Sequence, residues 1–167
     1  MEPESDRIEI RILLVCMGNI CRSPMAHGMV RKHLMVQGLS AAVELDSAGT
    51  HGYHAGSPPD ERAQAAALRR GIDISALRAR SVEQVDFESF DLILAMDDEN
   101  IEALRDMAAE EYHPKIHLLM AYAAGEEGRV VPDPYYGGSI GFERVLDMME
   151  EAAEGLMARI REVIAGQ

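Results

Sequence analysis

The chain has 167 residues, 47% of them hydrophobic, which suits one buried core and marks a globular rather than a disordered chain. Lys plus Arg number 16 against 29 Asp plus Glu, a net charge of −13 that argues against nucleic-acid and anionic-membrane partners. Any anionic substrate must therefore be captured by a local positive site.

No apolar run approaches the ~20 residues of a membrane span, and the acidic start MEPESDRIEI lacks the plan of a signal peptide. The two cysteines, five positions apart, cannot staple a domain of this size, so a cytoplasmic protein is expected. Residues 1–7 read as a flexible polar tail and residues 8–167 as a single domain. IEIRILLV (8–15) is β-branched and ends nearly all apolar, as a strand buried on both faces does. Ala26, Met29, Val30 and Leu34 then repeat at helical spacing, with Gly38 as a stop. VELDSAGT (43–50) reads as a short strand, and DERAQAAALRRG (60–71) as a helix with Gly71 at its C-terminal end. DLILAM (91–96) predicts a buried strand, after which Asp97 caps a helix bearing Ile101, Leu104 and Ala108. KIHLLM (115–120) is the fourth strand candidate. Phe142, Val145, Leu146, Met149, Leu156, Ile160 and Val163 mark a long final helix, the clearest 3.6-residue periodicity in the chain. The alternation predicts an α/β fold of three layers: a four-stranded parallel sheet with helices on both faces, flavodoxin-like or Rossmann-like. Ligands of such sheets bind beyond the carboxyl ends of the strands.

One such end is CMGNICRS (16–23). Ser23 before Pro24 reads as a helix N-cap, so the turn closes on unpaired N–H groups and a positive dipole end. Gly18 and Asn19 accept the backbone conformations of a curled anion-binding loop. Successive amides and the Arg22 guanidinium supply the donors that three phosphate oxygens need. The same positive field favours a thiolate at Cys16, to which the Ser23 hydroxyl can donate. A thiolate beneath a phosphoryl group makes a phosphocysteine intermediate chemically reasonable. The leaving group then needs a proton, and PDPYYGG offers Asp133 between two prolines, with Tyr135 and Tyr136 to wall an aromatic slot.

Plainer readings compete. A cysteine at a strand end is often a small core residue, and aspartate beside proline is often a turn former. The tyrosines are equally compatible with ordinary packing. His51 and His54 read as a polar surface loop. Zinc held by Cys16 and Cys21 would need two more ligands.

Taken together, the residues closely resemble the low-molecular-weight protein tyrosine phosphatases. The C-x5-R-S loop follows the first strand, DSAGT (46–50) and MDDEN (96–100) follow, DPYYG (133–137) precedes the last helix, and the resemblance runs from about residue 8 to the end. It implies Cys16 as nucleophile, Arg22 as phosphate clamp and Asp133 as general acid and base. Met17, Gly18, Asn19, Ile20, Cys21 and Ser23 match the phosphate-binding loop, and Ser47 matches a residue that supports it. Tyr53, Tyr135 and Tyr136 match the aromatic rim. Phosphotyrosine-containing proteins are the implied partners and phosphate and vanadate the implied inhibitory anions, with no metal or cofactor; a monomer is expected, with a weak dimer as the alternative. Cys21 stays open between packing and a disulfide with oxidised Cys16, a pairing the family makes plausible. Two departures matter: Arg70 stands where the family commonly has a histidine linked to the loop asparagine, which puts the support of Asn19 in doubt, and Tyr53 stands where Trp is commoner. Three alternatives remain. Arginine phosphatases of this fold typically carry threonine at the place of Ile20, and arsenate reductases need cysteines beyond Cys21, of which there are none. A non-catalytic phosphotyrosine-binding module has no need of both Cys16 and Asp133.

Overall fold

Alternate residues of the first strand point into two different cores, and this organises the molecule. The structure, a computed structural model, describes residues 7–125, 129–136 and 138–166, without the side chains of 136 and 138–140. All but the last residue of the expected N-terminal tail lies outside that range. Strand β1 (Ile10–Cys16) pairs in parallel with β2 (Val43–Gly49) on one side and β3 (Leu92–Ala95) on the other, and β4 (Ile116–Leu118) completes the sheet in the order β2-β1-β3-β4. Ile10, Ile12, Leu14 and Cys16 face one core, while Leu13 and Val15 face the other. The absence of polar alternation in IRILLVC follows, because both faces are covered.

The first core is closed by helices α1 (Arg22–Val36), α2 (Glu61–Leu68) and the 28-residue α5 (Gly138–Ala165). Met25, Met29, Phe142, Leu146, Met149, Leu156 and Ile160 fill it, so the apolar stripe read from the sequence of α5 is its buried face. The second core lies under α3 (Gln84–Ser89) and α4 (Asp98–Met107), around Phe87, Ile93 and Leu104. Asp97 caps α4 as expected, accepting from the Asn100 amide at 2.8 Å.

Three details differ from the sequence reading. KIHLLM is a strand only over Ile116–Leu118; Leu119–Tyr122 turns into a 3-10 helix that packs beneath α5. Helix α3 has no periodicity visible in the sequence, although Glu83 and Asp86 form a reciprocal capping box at its start. Ser23 is not the N-cap of α1: Cys21 occupies that place without a side-chain bond, and Pro24 is the third helical residue. The serine is the second helical residue, and its hydroxyl is engaged by Asn19 and Cys16 instead.

The sheet reverses direction of growth at β1, with β2 added to one side and β3 to the other. A crevice opens at the carboxyl ends of β1 and β3, the place where parallel sheets bind ligands. CMGNICRS leaves one of those ends and MDDEN the other.

Candidate active site

Cys16 ends β1 with its side chain buried at the floor of a cavity of about 250 Å³. The backbone turns sharply at Asn19, whose φ of 58° is the left-handed conformation that Asn tolerates better than most residues. That turn aims the Asn19 amide back at the sulfur, to which it donates at 3.2 Å. Ser23 Oγ lies 3.1 Å from Cys16 Sγ and also accepts from Asn19 Nδ2 at 2.7 Å. Because the oxygen is already accepting from Asn19, its own proton is free to point at the sulfur. Asn19 Oδ1 in turn accepts from the Arg80 amide at 3.0 Å, which anchors the network to the strand-like segment beyond α2.

The doubt attached to Arg70 is thereby removed. Arg70 does not reach the loop; it binds Glu143 Oε1 at 3.1 Å and Asp147 Oδ1 at 2.9 Å, tying α2 to α5. Asn19 is held without it. Ser47 is buried on β2, and its hydroxyl pairs at 3.0 Å with Nδ1 of His27, one turn of α1 beyond Ser23.

Arg22 is 5% exposed and is fixed by one end of its guanidinium. Nη1 donates to Asp97 Oδ2 at 2.6 Å and to the Val131 carbonyl at 3.0 Å. Nε and Nη2 have no protein acceptor among the described residues, and the side chain borders the cavity. A planar fork held this way presents two parallel donors to an oxyanion. The sequence marks Asp97 only as a cap; in the structure one carboxylate oxygen caps α4 while the other orients the arginine. The amides of Met17, Gly18, Ile20, Cys21 and Arg22 likewise have no protein acceptor among the described residues, and all five residues border the cavity.

Asp133 stands on the exposed wall of the same cavity. Its Oδ1 accepts from the Tyr135 amide at 3.0 Å, so it is also the turn former of the plainer reading. Tyr135 borders the cavity beside it; the side chain of Tyr136 lies outside the described residues. Tyr53 is 85% exposed, stacks on His51 with ring centroids 5.3 Å apart, and is not among the lining residues. The lining residue from that loop is His54, packed beside Gly18. The sequence reads His54 as loop surface, and nothing in HGYH marks which residue turns inward.

Cys21 also borders the cavity, but its chemistry differs. Burial, reinforced by the electrostatic influence of Asp60 and other neighbours at the site, pushes its thiol up to about 12, so it holds its proton more tightly than an ordinary cysteine. Among the described residues no group of three His, Cys, Asp or Glu is placed to hold a metal ion, and no helix is long and apolar enough to cross a membrane.

A floor-level thiol, an orphaned fork of amides and guanidinium, and a carboxylate on the wall are the parts of a phosphoryl-transfer site. The sequence model of one family, low molecular weight phosphotyrosine protein phosphatase, matches residues 11–165. The chain belongs to that family. Among the family's members, the low molecular weight protein-tyrosine-phosphatase YfkJ of Bacillus subtilis is 42% identical over 153 residues, covering 92% of this chain and 97% of its own. The human low molecular weight phosphotyrosine protein phosphatase is 41% identical over 136 residues, 80% of this chain and 85% of its own. Among solved structures, a protein tyrosine phosphatase from Entamoeba histolytica with Hepes in its active site superposes with a TM-score of 0.88 at 39% identity, covering 92% of this chain and 97% of its own. The four-stranded parallel sheet flanked by helices is the fold that membership implies.

Proposed function

We infer that this protein is a protein tyrosine phosphatase, hydrolysing phosphotyrosine in proteins, and simple aryl phosphates, through a phosphocysteine intermediate. The observation that carries the reading is the convergence on Cys16 Sγ of the Asn19 amide and the Ser23 hydroxyl, beneath a cavity bordered by Arg22 and Asp133.

A phosphate monoester enters with its oxygens toward the loop amides and the free edge of Arg22. The Cys16 thiolate attacks phosphorus in line with the ester oxygen, forming the S–P bond as the P–O bond breaks. The departing phenolate oxygen takes the proton of Asp133. In the second step the Asp133 carboxylate accepts a proton from water as that water attacks phosphorus. The S–P bond breaks, inorganic phosphate leaves and the thiolate returns. Arg22 and the amides are fixed before the reaction begins, so they stabilise the equatorial charge with little reorganisation. Met17, Ile20 and Tyr135 give the ring of the substrate apolar contact at the rim.

The chemistry requires Cys16 as a free thiolate, which suits a reducing cytoplasmic setting. One chain supplies every group named, so a monomer suffices. Peptides carrying phosphotyrosine, phosphoserine or phosphoarginine, compared side by side, test the reading. Turnover is expected for phosphotyrosine and is expected to resist metal chelators, with competitive inhibition by phosphate and vanadate. Preferential turnover of phosphoarginine would overturn the substrate assignment.

A further inference from the structure

We propose that Arg62 is a positioning residue for the proton donor: it fixes the Asp133 loop to the phosphate-binding loop. The inference rests on the reading of Asp133 as the acid. Among the described residues, Asp133 is held locally, by the amide of Tyr135 two residues on. The stiffness a proton donor needs must come from elsewhere, since small misplacements of a catalytic group cost rate steeply.

Arg62 is placed to supply it. Its Nη1 donates to the carbonyl of Tyr135 at 2.8 Å, the residue whose amide holds Asp133. Its guanidinium lies over the Tyr135 ring at 4.8 Å and the buried Phe142 ring of α5 at 5.1 Å, so the acid loop is gripped by both backbone and side chain. The other end of the guanidinium is locked by Asp60, with Nε to Oδ1 and Nη2 to Oδ2 both at 3.2 Å. Asp60 belongs to the phosphate-binding loop as much as to α2. It caps that helix through the Arg62 amide at 2.8 Å, and its own amide donates to the Ile20 carbonyl at 2.8 Å. An unbroken chain of contacts thus runs from Ile20 through Asp60, Arg62 and Tyr135 to Asp133. Were Arg62 only half of a surface ion pair at a helix start, it would contribute little to stability and nothing to acid catalysis.

The distinction is measurable, because a displaced acid matters most when the leaving group is poor. kcat/KM is compared for p-nitrophenyl phosphate and phenyl phosphate in the wild type, Arg62→Met, Asp133→Ala and the double variant. Arg62→Met is expected to lose about 10-fold more on phenyl phosphate than on p-nitrophenyl phosphate. Asp133→Ala is expected to lose more still, and the double variant to add no further discrimination between the substrates. The inhibition constant of inorganic phosphate should stay within about 3-fold of wild type, since the anion cradle is intact. An equal loss on both substrates would assign Arg62 a merely structural role and overturn the proposal. A flat Asp133→Ala series would instead overturn the acid assignment and the proposal with it. If Arg62→Met does not fold, Arg62→Lys gives the same comparison, keeping the charge and losing the fork.

Discussion

Ser23 Oγ accepts from Asn19 Nδ2 and lies 3.1 Å from Cys16 Sγ, so its hydroxyl is placed to donate to a Cys16 thiolate. A hydrogen bond to a charged acceptor is worth about 1.5–3 kcal/mol, so Ser23→Ala should lower kcat/KM for p-nitrophenyl phosphate by about 10- to 100-fold. Inhibition by phosphate should change far less, since phosphate is bound by Arg22 and the amides; equal losses in both would place Ser23 in anion binding instead. His27 gives a second residue-level expectation, in stability. Burial, and then the charge of Arg31 against a smaller opposing effect of Asp46, push its imidazole down from 6.5 to about 4. Between those pH values the unfolded chain binds a proton that the folded protein refuses, so stability falls as pH drops through that window. The loss amounts to about 2–3 kcal/mol by pH 4.5. Urea unfolding at pH 7 and 4.5 should show a smaller pH dependence in His27→Asn than in the wild type, and an unchanged dependence would contradict the assignment.

Helix α5 shows packing overruling propensity at the scale of an element. Gly155 sits in mid-helix, where alanine would be favoured by roughly 1 kcal/mol. Yet a Cβ there would fall well inside van der Waals contact of the Tyr122 backbone carbonyl, in the 3-10 turn after β4. Gly155→Ala should therefore destabilise the protein by about 2 kcal/mol or more, read as a lower midpoint in denaturant. A stabilising effect would show that the turn gives way freely. The same contact explains why the strand in KIHLLM stops at Leu118: three of its residues pair with β3, and the chain beyond bends so that Tyr122 meets the glycine of α5. Periodicity reported the apolar character of that segment but carried no trace of its partner. The stripe of α5 was legible because one long helix face meets one core. The six residues of α3 were too few to show a period.

The whole molecule carries a net charge of −13 around a site built for an anion. Long-range repulsion should slow association of acidic phosphopeptides, so kcat/KM for an acidic phosphotyrosine peptide should rise as ionic strength increases from ~0.01 to ~0.15 M. A basic peptide should show the opposite trend, and identical behaviour of the two would mean the local field of the loop outweighs the net charge. The sheet, its helical cover and CMGNICRS were legible because each is written in contiguous residues: an apolar run, a stripe, a loop of fixed spacing. Contacts between distant segments were not. Asp97 carried a capping signal but nothing to pair it with Arg22, and His54 gave no sign that it, rather than Tyr53, faces the cavity. The central claim is covalent catalysis at Cys16. Rapid acid quench of p-nitrophenyl phosphate turnover, followed by peptide mass analysis, tests it most directly. A single phosphoryl group on the peptide containing Cys16, absent together with turnover in Cys16→Ser, is the expected result. Turnover that persists in Cys16→Ser, or a phosphoryl group on another residue, would contradict it.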